Sequence, residues 1–286
     1  MPRFMSRFAV RKFGLVAIAF LVVTTSSAFA KPPAPPSVPA LTKQTAAVVA
    51  ANPMAVEAGM EILKKGGSAV DAAVAVQVML GLVEPQSSGV GGGSFMMYYD
   101  ASTNKITALD GREKAPAGAT PDMFLDENGK PMSYVIAVRT GRSTGVPGAI
   151  RMLSEAQARF GKLPWRELFN PAIRAAADGF KVPQRLANFL SPNFVFPATA
   201  EIRELFHRPD GTPLQAGDIF KNPLYAQTLK RIATEGPKAL YEGSIAEQIV
   251  KKTHEAPYPG TMTLQDLASY RADWVDALCR PYRDSS

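Results

Sequence analysis

The segment from Ala69 to Val83 constrains the fold more than any other, because nearly all of its residues are small and apolar. A helix that is apolar all round has no face to offer to water, so it must be buried inside the protein. Ser68 and Asp71 have the Ser-x-x-acid spacing of a capping box, which predicts that this helix begins at Ala69. The sequence therefore predicts a buried helix that other elements cover.

A helix and a hairpin flank the buried helix in the sequence. Apolar residues at helical spacing predict a helix from Pro53 to Lys65, which Gly66-Gly67 ends. After the buried helix, Ser94 to Asp100 and Lys105 to Leu109 have the character of short strands separated by a polar run. These two strands are predicted to form a β-hairpin.

The second half of the chain is predicted to be mainly helical. Apolar residues recur at helical spacing from Ala149 to Phe160. Asn170-Pro171 and Asn222-Pro223 each resemble an N-cap followed by proline at the first helical position, and Thr263 with Asp266 forms another capping box. Helices, then strands, then helices predict a layered α+β protein, mostly helical, rather than a strict βαβ alternation.

The first 41 residues are predicted to be a targeting segment and a leader. Basic residues precede the apolar stretch Phe13 to Val23, and Ala28-Phe29-Ala30 has the small-x-small pattern of a cleavage site. We expect residues 1–30 to be a signal peptide cleaved after Ala30, and the Pro-rich residues 31–41 to be a disordered leader. Because the apolar stretch is too short to span a bilayer, we expect a periplasmic or secreted protein without a stable membrane anchor.

Charge, cysteine and histidine content exclude several classes of function. The formal charge of +7 falls to +3 without the four basic residues of the signal peptide, which is too weak to indicate nucleic acid binding. The single cysteine, Cys279, allows no internal disulfide. His207 and His254 stand alone and are expected to be surface residues rather than metal ligands, so no metal or cofactor is predicted.

A glycine cluster, Gly89-Val90-Gly91-Gly92-Gly93, lies between the buried helix and the hairpin. Phosphates bind Gly-rich loops that open helices, but here a helix enters the loop and a strand leaves it, which argues against a nucleotide site. Two explanations remain open. Either the glycines allow positive φ and close backbone approach where two layers meet, or their bare backbone lines a ligand pocket.

The segment from Asp110 to Pro116 leaves the second strand of the hairpin, where Arg112 would be held in a defined position. A guanidinium can bind a carboxylate through two parallel hydrogen bonds, which lysine cannot reproduce. Alternatively, Arg112 pairs with Glu113 or Asp110 at the surface and contributes little. The residue types alone leave both readings possible.

Seven motifs together carry a family resemblance. They are Ala69-Val70-Asp71-Ala72-Ala73-Val74-Ala75, Gly91-Gly92-Gly93-Ser94-Phe95-Met96, Asp110 to Pro116, Gly145-Val146-Pro147-Gly148, Asp178-Gly179-Phe180, Leu240-Tyr241-Glu242-Gly243 and Asp266-Leu267-Ala268-Ser269-Tyr270. In content and order they resemble the γ-glutamyltransferase (glutathione hydrolase) family, from about Thr42 to Arg283. A single motif, such as the glycines, would not be specific, whereas seven in one order are.

The resemblance implies an N-terminal-nucleophile hydrolase with an αββα sandwich and no cofactor. In that family a precursor cuts itself to expose a threonine at the start of a small subunit, and this threonine becomes acylated by the γ-glutamyl group. The implied partners are glutathione and other γ-glutamyl compounds, amino acid or peptide acceptors or water, and the small subunit. By the same resemblance, Arg112 holds the α-carboxylate of the γ-glutamyl group.

The family's nucleophilic threonine is expected to lie beyond Ser286, so no catalytic residue is assigned within this chain. We expect residues 42–286 to form an incomplete large-subunit domain that is inactive and only partly folded alone, with unpaired apolar edges on the hairpin. Two alternatives stay open. One is a related acylase, such as a cephalosporin acylase, or a poly-γ-glutamate transpeptidase, and the other is a non-catalytic γ-glutamyl-binding protein of the periplasm.

Overall fold

The computed structural model describes residues 46–191 and 200–281, all of which belong to one compact unit. The predicted signal peptide with its cleavage site after Ala30, the predicted leader, and residues 282–286 lie outside the described residues. Over the described ranges, no helix combines the length and apolar character needed to cross a membrane.

Helices form most of the regular structure in the described part of the chain. The α-helices are α1 (Pro53–Lys64), α2 (Ala69–Val83), α3 (Tyr134–Ala137), α4 (Ala149–Phe160), α5 (Asn170–Asp178), α6 (Gln184–Leu190), α7 (Ala200–Phe206), α8 (Pro223–Glu235), α9 (Lys238–Tyr241), α10 (Gly243–Thr253) and α11 (Leu264–Ser269). The strands are β1 (Ser94–Asp100), β2 (Lys105–Gly111), β3 (Phe180–Lys181), β4 (Ile219–Phe220) and β5 (Asp273–Val275). Short 3₁₀ helices cover Gly141–Ser143 and Trp165–Phe169. The predicted α+β class is confirmed.

The predicted first helix is confirmed and lies beside the buried one. The Asn52 side chain accepts a hydrogen bond from the backbone N–H of Met54 at 3.0 Å, so α1 begins with a capped end and proline at its first position. After α1, Gly66 has a φ of +87°, a conformation that favours glycine and turns the chain into α2.

The predicted burial of α2 is confirmed, with nine of its fifteen residues buried. Its capping box is complete, because the Ser68 hydroxyl accepts from the Asp71 N–H and the Asp71 carboxylate accepts from the Ser68 N–H. The same buried carboxylate accepts from the backbone N–H groups of Lys162 and Leu163, at 2.8 and 3.1 Å. Asp71 thereby joins the start of α2 to the loop that follows α4.

The main sheet has three antiparallel strands in the order β1-β2-β5. The predicted hairpin is confirmed, although β2 continues past Leu109 to Gly111, which pairs with Ser94. The expectation that both hairpin edges lack partners is wrong for β2, because β5 pairs with it and places Val275 opposite Ala108. Local sequence patterns do not reveal a strand that comes from so far along the chain.

One face of this sheet packs on α4, and the exposed side chains of the other are left open by the part of the chain that the structure describes. On the packed face, the Tyr98 ring stacks on the Phe160 ring at 4.0 Å, and Trp274 meets Phe160 edge-on at 6.0 Å. Register and exposure put a row of apolar side chains on the opposite face, here called the outer sheet face. Its members are Phe95 (66% exposed), Met97 (66%), Tyr99 (58%), Ile106 (47%) and Val275 (46%).

Helix starts in the second half of the chain match the predictions with one exception. The side chains of Asn222 and Thr263 accept hydrogen bonds from backbone N–H groups at the starts of α8 and α11, as predicted. Asn170 is not a cap. The 3₁₀ helix Trp165–Phe169 runs directly into α5, so Asn170 lies inside the helical stretch and caps no free end.

Candidate functional site

The candidate site lies where the chain leaves β2. The backbone N–H of Arg112 donates to the Asp110 carboxylate at 2.8 Å, and the Arg112 carbonyl accepts from the Tyr270 hydroxyl at 2.6 Å. Both polar groups of the Arg112 main chain are therefore held by side chains. The predicted exit from a strand is confirmed, and it fixes the backbone from which the guanidinium extends.

The Arg112 side chain itself is exposed, with 67% of its surface accessible. Its Nε lies 3.4 Å from Oε2 of Glu113, which is the surface pair that the sequence left open as one reading. Among the described residues, its two terminal amino groups have no hydrogen-bond partner. A guanidinium that is held through Nε and has both terminal nitrogens available can still receive a carboxylate.

Glu113 is the site residue whose importance sequence reasoning missed. Its Oε2 is buried and accepts no hydrogen bond from any described residue, so Arg112 supplies its nearby positive charge. The side chain lies against the glycine cluster. A Cβ on Gly93 would lie 2.5 Å from Glu113 Oε2 and 2.7 Å from the Glu113 backbone nitrogen, and a Cβ on Gly145 would lie 2.9 Å from Glu113 Cβ.

The glycine cluster thus serves close approach between layers, one of the two explanations left open by the sequence. A helix enters it and a strand leaves it, as predicted, since α2 ends at Val83 and β1 begins at Ser94. The Gly92 carbonyl accepts from the N–H groups of Gly148 and Ala149, both at 3.0 Å, which joins the loop to the start of α4. The sequence signal for this packing was the presence of two glycine motifs, the cluster itself and Gly145-Val146-Pro147-Gly148.

Lys114 fixes the same segment from its other side. Its Nζ lies 2.7 Å from Asp273 Oδ2 and also donates to the Arg271 carbonyl at 3.1 Å. The ammonium sits 5.3 Å from the centroid of the Tyr270 ring. Burial, reinforced by the nearby carboxylates of Asp110 and Asp273, raises the pKa of Tyr270 to about 12. A tyrosine hydroxyl is protonated at neutral pH even at its ordinary pKa, so the Tyr270 hydroxyl can donate.

A cavity of about 540 Å³ is lined in part by Gly145, the glycine that also packs near Glu113. One wall is formed by Gly91, Thr144 and Gly145, and the facing wall belongs to α10, with Gln248 and Ile249. The volume suits a ligand of amino acid or dipeptide size. Gly91 lines this cavity, so the second explanation for the glycines, bare backbone that lines a pocket, also applies to Gly91.

The two histidines differ in their surroundings. His254 is exposed, as expected, whereas His207 is half-buried and its Nδ1 is covered without a hydrogen-bond partner among the described residues. No group of three or more His, Cys, Asp or Glu side chains in the described ranges is arranged to hold a metal ion. What the site can do with the groups at hand is bind an anion at the exposed Arg112 guanidinium.

Comparisons with known proteins agree on one family. The family profile for gamma-glutamyltranspeptidase matches residues 55–286. A glutathione hydrolase proenzyme from Bacillus subtilis (strain 168) is 42% identical over 223 residues, which is 78% of this chain and 38% of that protein. A glutathione hydrolase proenzyme from Escherichia coli (strain K12) is 37% identical over 282 residues, which is 95% of this chain and 46% of that protein.

A solved structure matches in three dimensions as well. The gamma-glutamyltranspeptidase of Helicobacter pylori superimposes with a TM-score of 0.77 at 33% sequence identity, covering 84% of this chain and 68% of that one. The shares given above also mean that the present chain spans less than half the length of the two glutathione hydrolase proenzymes.

Proposed function

Because the chain belongs to the gamma-glutamyltranspeptidase family, we propose that it is the part of a glutathione hydrolase that binds the γ-glutamyl donor. The complete protein, in this proposal, transfers or hydrolyses the γ-glutamyl group of glutathione and related amides. Family membership supports the reaction, and the held backbone of Arg112 beside Glu113 supports the binding role.

Arg112 binds the α-carboxylate of the donor. Its two terminal nitrogens match the two oxygens of a carboxylate, and its Nε stays with Glu113. Glu113 keeps the guanidinium at the end of β2, since its buried Oε2 accepts no hydrogen bond from a described residue and lies beside the Arg112 Nε. Binding the substrate at a point away from the bond that breaks places the γ-carbonyl for attack.

The nucleophile in this proposal is a threonine at the start of the small subunit. Its own α-amino group accepts the hydroxyl proton as the oxygen attacks the γ-carbonyl, and backbone N–H groups stabilise the oxyanion. The amine leaves with a proton, and a γ-glutamyl ester forms on the threonine. Water or an acceptor amine then takes the acyl group and restores the hydroxyl.

The small subunit is the proposed occupant of the outer sheet face. Two stacked sheets need apolar inner faces, and this row of exposed side chains has that character. Residues 42–286 form an incomplete large-subunit domain, which reaches the periplasm or the medium after cleavage behind Ala30. Mass spectrometry of exported protein should then find Lys31 at the N-terminus, and a retained Met1 would refute this part.

The decisive experiment is Arg112→Ala in the processed, active enzyme. Loss of a charge-assisted bidentate contact costs about 2–4 kcal/mol when partly buried, so kcat/KM for γ-glutamyl-p-nitroanilide should fall by roughly tens- to hundreds-fold, mainly through KM. Arg112→Lys should recover little, since lysine lacks the fork. For a donor whose α-carboxylate is replaced by a carboxamide, Arg112→Ala should lower kcat/KM little, because that donor lacks the carboxylate that Arg112 binds. Unchanged kinetics in Arg112→Ala would show that Arg112 forms only a surface ion pair with Glu113.

The alternative functions make different predictions with the same material. A cephalosporin acylase or a poly-γ-glutamate transpeptidase would process its own acyl donor faster than glutathione, and Arg112 supports a donor with an α-carboxylate over one without it. A non-catalytic γ-glutamyl-binding protein would release measurable heat on titration of this chain with glutathione or glutamate. We expect no such heat, because a pocket shared with the small subunit is incomplete in this chain alone.

A further inference from the structure

The main chain of Arg112 is fixed by one local group and one distant group. The Asp110 carboxylate is two residues away and accepts from the Arg112 N–H. The Tyr270 hydroxyl, from the residue that follows α11, donates to the Arg112 carbonyl across 158 residues of sequence. Position 270 belongs to a motif that the proposed function leaves without a role.

Residues around Tyr270 contact the same segment at further points. The Asp266 side chain accepts from the Ala117 N–H at 3.0 Å, and Lys114 Nζ reaches Asp273 and the Arg271 carbonyl. The first turn of α11, the residues that follow the helix and the start of β5 therefore hold the Arg112 segment along its length. These bonds leave the segment little freedom to shift relative to the sheet.

The Tyr270 ring is held in place by the residues that surround it. It is 3% exposed and stacks on the Tyr241 ring, with centroids 6.1 Å apart and planes 15° apart. Tyr241 is itself fixed, because its hydroxyl donates to the Pro147 carbonyl at 2.9 Å. A Cβ on Gly148 would lie 2.2 Å from the Tyr270 hydroxyl oxygen, so the hydroxyl occupies a slot that only glycine leaves open.

We propose that Tyr270 is a positioning residue for donor binding, whose hydroxyl fixes the Arg112 carbonyl and thereby aims the guanidinium at the donor carboxylate. The inference rests on the proposed function of Arg112. A long, exposed side chain reaches many positions, and fixing the backbone at its root restricts the directions from which it starts. Tyr270 touches neither substrate nor reacting atoms and acts through Arg112 alone.

Tyr270→Phe in the processed enzyme tests this, because it removes the hydroxyl and keeps the ring. Losing one hydrogen bond of this kind should raise KM for γ-glutamyl-p-nitroanilide about three- to tenfold, with kcat within about twofold. The preference for this donor over its α-carboxamide counterpart should fall by the same factor as KM rises. A role limited to stability would leave that preference unchanged.

Tyr225→Phe is the matched control. The Tyr225 hydroxyl donates to the Val78 carbonyl at 2.9 Å, so this change also removes one tyrosine-to-backbone hydrogen bond, away from Arg112. Its KM and donor preference should stay at the wild-type values. Equal effects of the two substitutions, or an unchanged donor preference in Tyr270→Phe, would overturn the inference.

Two further variants separate this inference from the proposed function. In the double variant Arg112→Ala/Tyr270→Phe, KM should equal that of Arg112→Ala alone, because Tyr270 acts only through Arg112. Additive effects would contradict this. If Arg112→Ala raises KM and Tyr270→Phe does not, only the role of Tyr270 fails. If Arg112→Ala leaves KM unchanged, the proposed function fails as well.

Discussion

At the scale of single residues, two glycines of one loop have different surroundings although they look equivalent in the sequence. A Cβ on Gly93 would press into the backbone nitrogen and the carboxylate of Glu113, at 2.7 and 2.5 Å. A Cβ on Gly91 would meet nothing within 4 Å. The requirement for glycine at position 93 therefore comes from the packing of Glu113, and none is imposed at position 91.

Gly93→Ala should displace Glu113 and with it Arg112. The backbone nitrogen cannot yield as a side chain can, so we expect a loss of roughly 1–3 kcal/mol in the free energy of unfolding and a raised donor KM. Gly91→Ala is the control and should change the unfolding free energy by less than about 0.5 kcal/mol. Urea unfolding and donor kinetics measure both. Equal behaviour of the two variants would contradict the assigned packing.

Asp71 predicts a dependence of stability on pH. Burial opposes its charge, but hydrogen bonds from the N–H groups of Ser68, Lys162 and Leu163 and from Gln157 outweigh it and lower the pKa of Asp71. A lowered folded-state pKa stabilises the fold above the unfolded-state pKa, and this contribution is lost as pH falls through the folded-state pKa.

Asp71→Asn should therefore cost roughly 2–4 kcal/mol at pH 7, because a neutral amide oxygen accepts the three backbone N–H groups more weakly than a carboxylate, and its amino group faces the Gln157 Nε2 donor. The cost should shrink as the pH falls from the unfolded-state pKa, about 4, and should vanish below the lowered folded-state pKa, where wild-type Asp71 also loses its charge. Urea unfolding at a series of pH values measures this. Glu61→Gln, which removes partly exposed ion pairs with Lys65 and Arg174, is the control and should cost under about 1 kcal/mol. A pH-independent cost at position 71 would refute the argument.

At the scale of elements, prediction succeeded where the signal is local. Helix α2, its capping box and β1 have the bounds that the sequence predicts, since spacing and caps are written within a few neighbouring residues. The pairing of β5 with β2 and the placing of Tyr270 on Arg112 were not predictable, because each depends on residues far apart in sequence. The prediction for Arg112 came from the family resemblance, because its residue type alone left a surface pair open, whereas the packing of Glu113 depends on glycines from two other segments.

Neighbouring residues of β1 should respond oppositely to charge. Met97→Lys adds charge to the outer sheet face, where the side chain is already 66% exposed, and should leave the helix content of this chain unchanged. Met96→Lys puts a charge into the packed face and should cost several kcal/mol. Circular dichroism of this chain and urea unfolding of the processed enzyme compare the two. In the processed enzyme, Met97→Lys should weaken subunit association. Unaltered association would show that the small subunit does not bind the outer sheet face.

At the scale of the whole molecule, the 286-residue chain alone should be inactive and only partly folded. The outer sheet face is open, so a hydrophobic dye should bind, helix content should be near native, and thermal melting should be broad. We expect no release of p-nitroaniline from a γ-glutamyl anilide above a mock preparation. Co-expression with a small-subunit segment should raise solubility and suppress dye binding. A sharp melting transition or turnover by the chain alone would refute this prediction.

The pairing of β5 with β2 has a consequence for biosynthesis. Ala108 and Val275 meet in the sheet, so a growing chain leaves the ribosome with the Arg112 segment synthesised long before its partners exist. Closing so long a loop is slow, and the last bonds to form are those from Tyr270 and Asp273. In the proposed export route, a chain that crosses the membrane before residue 275 emerges does so with Arg112, the proposed donor-binding residue, still unplaced, and the placement is completed on the far side.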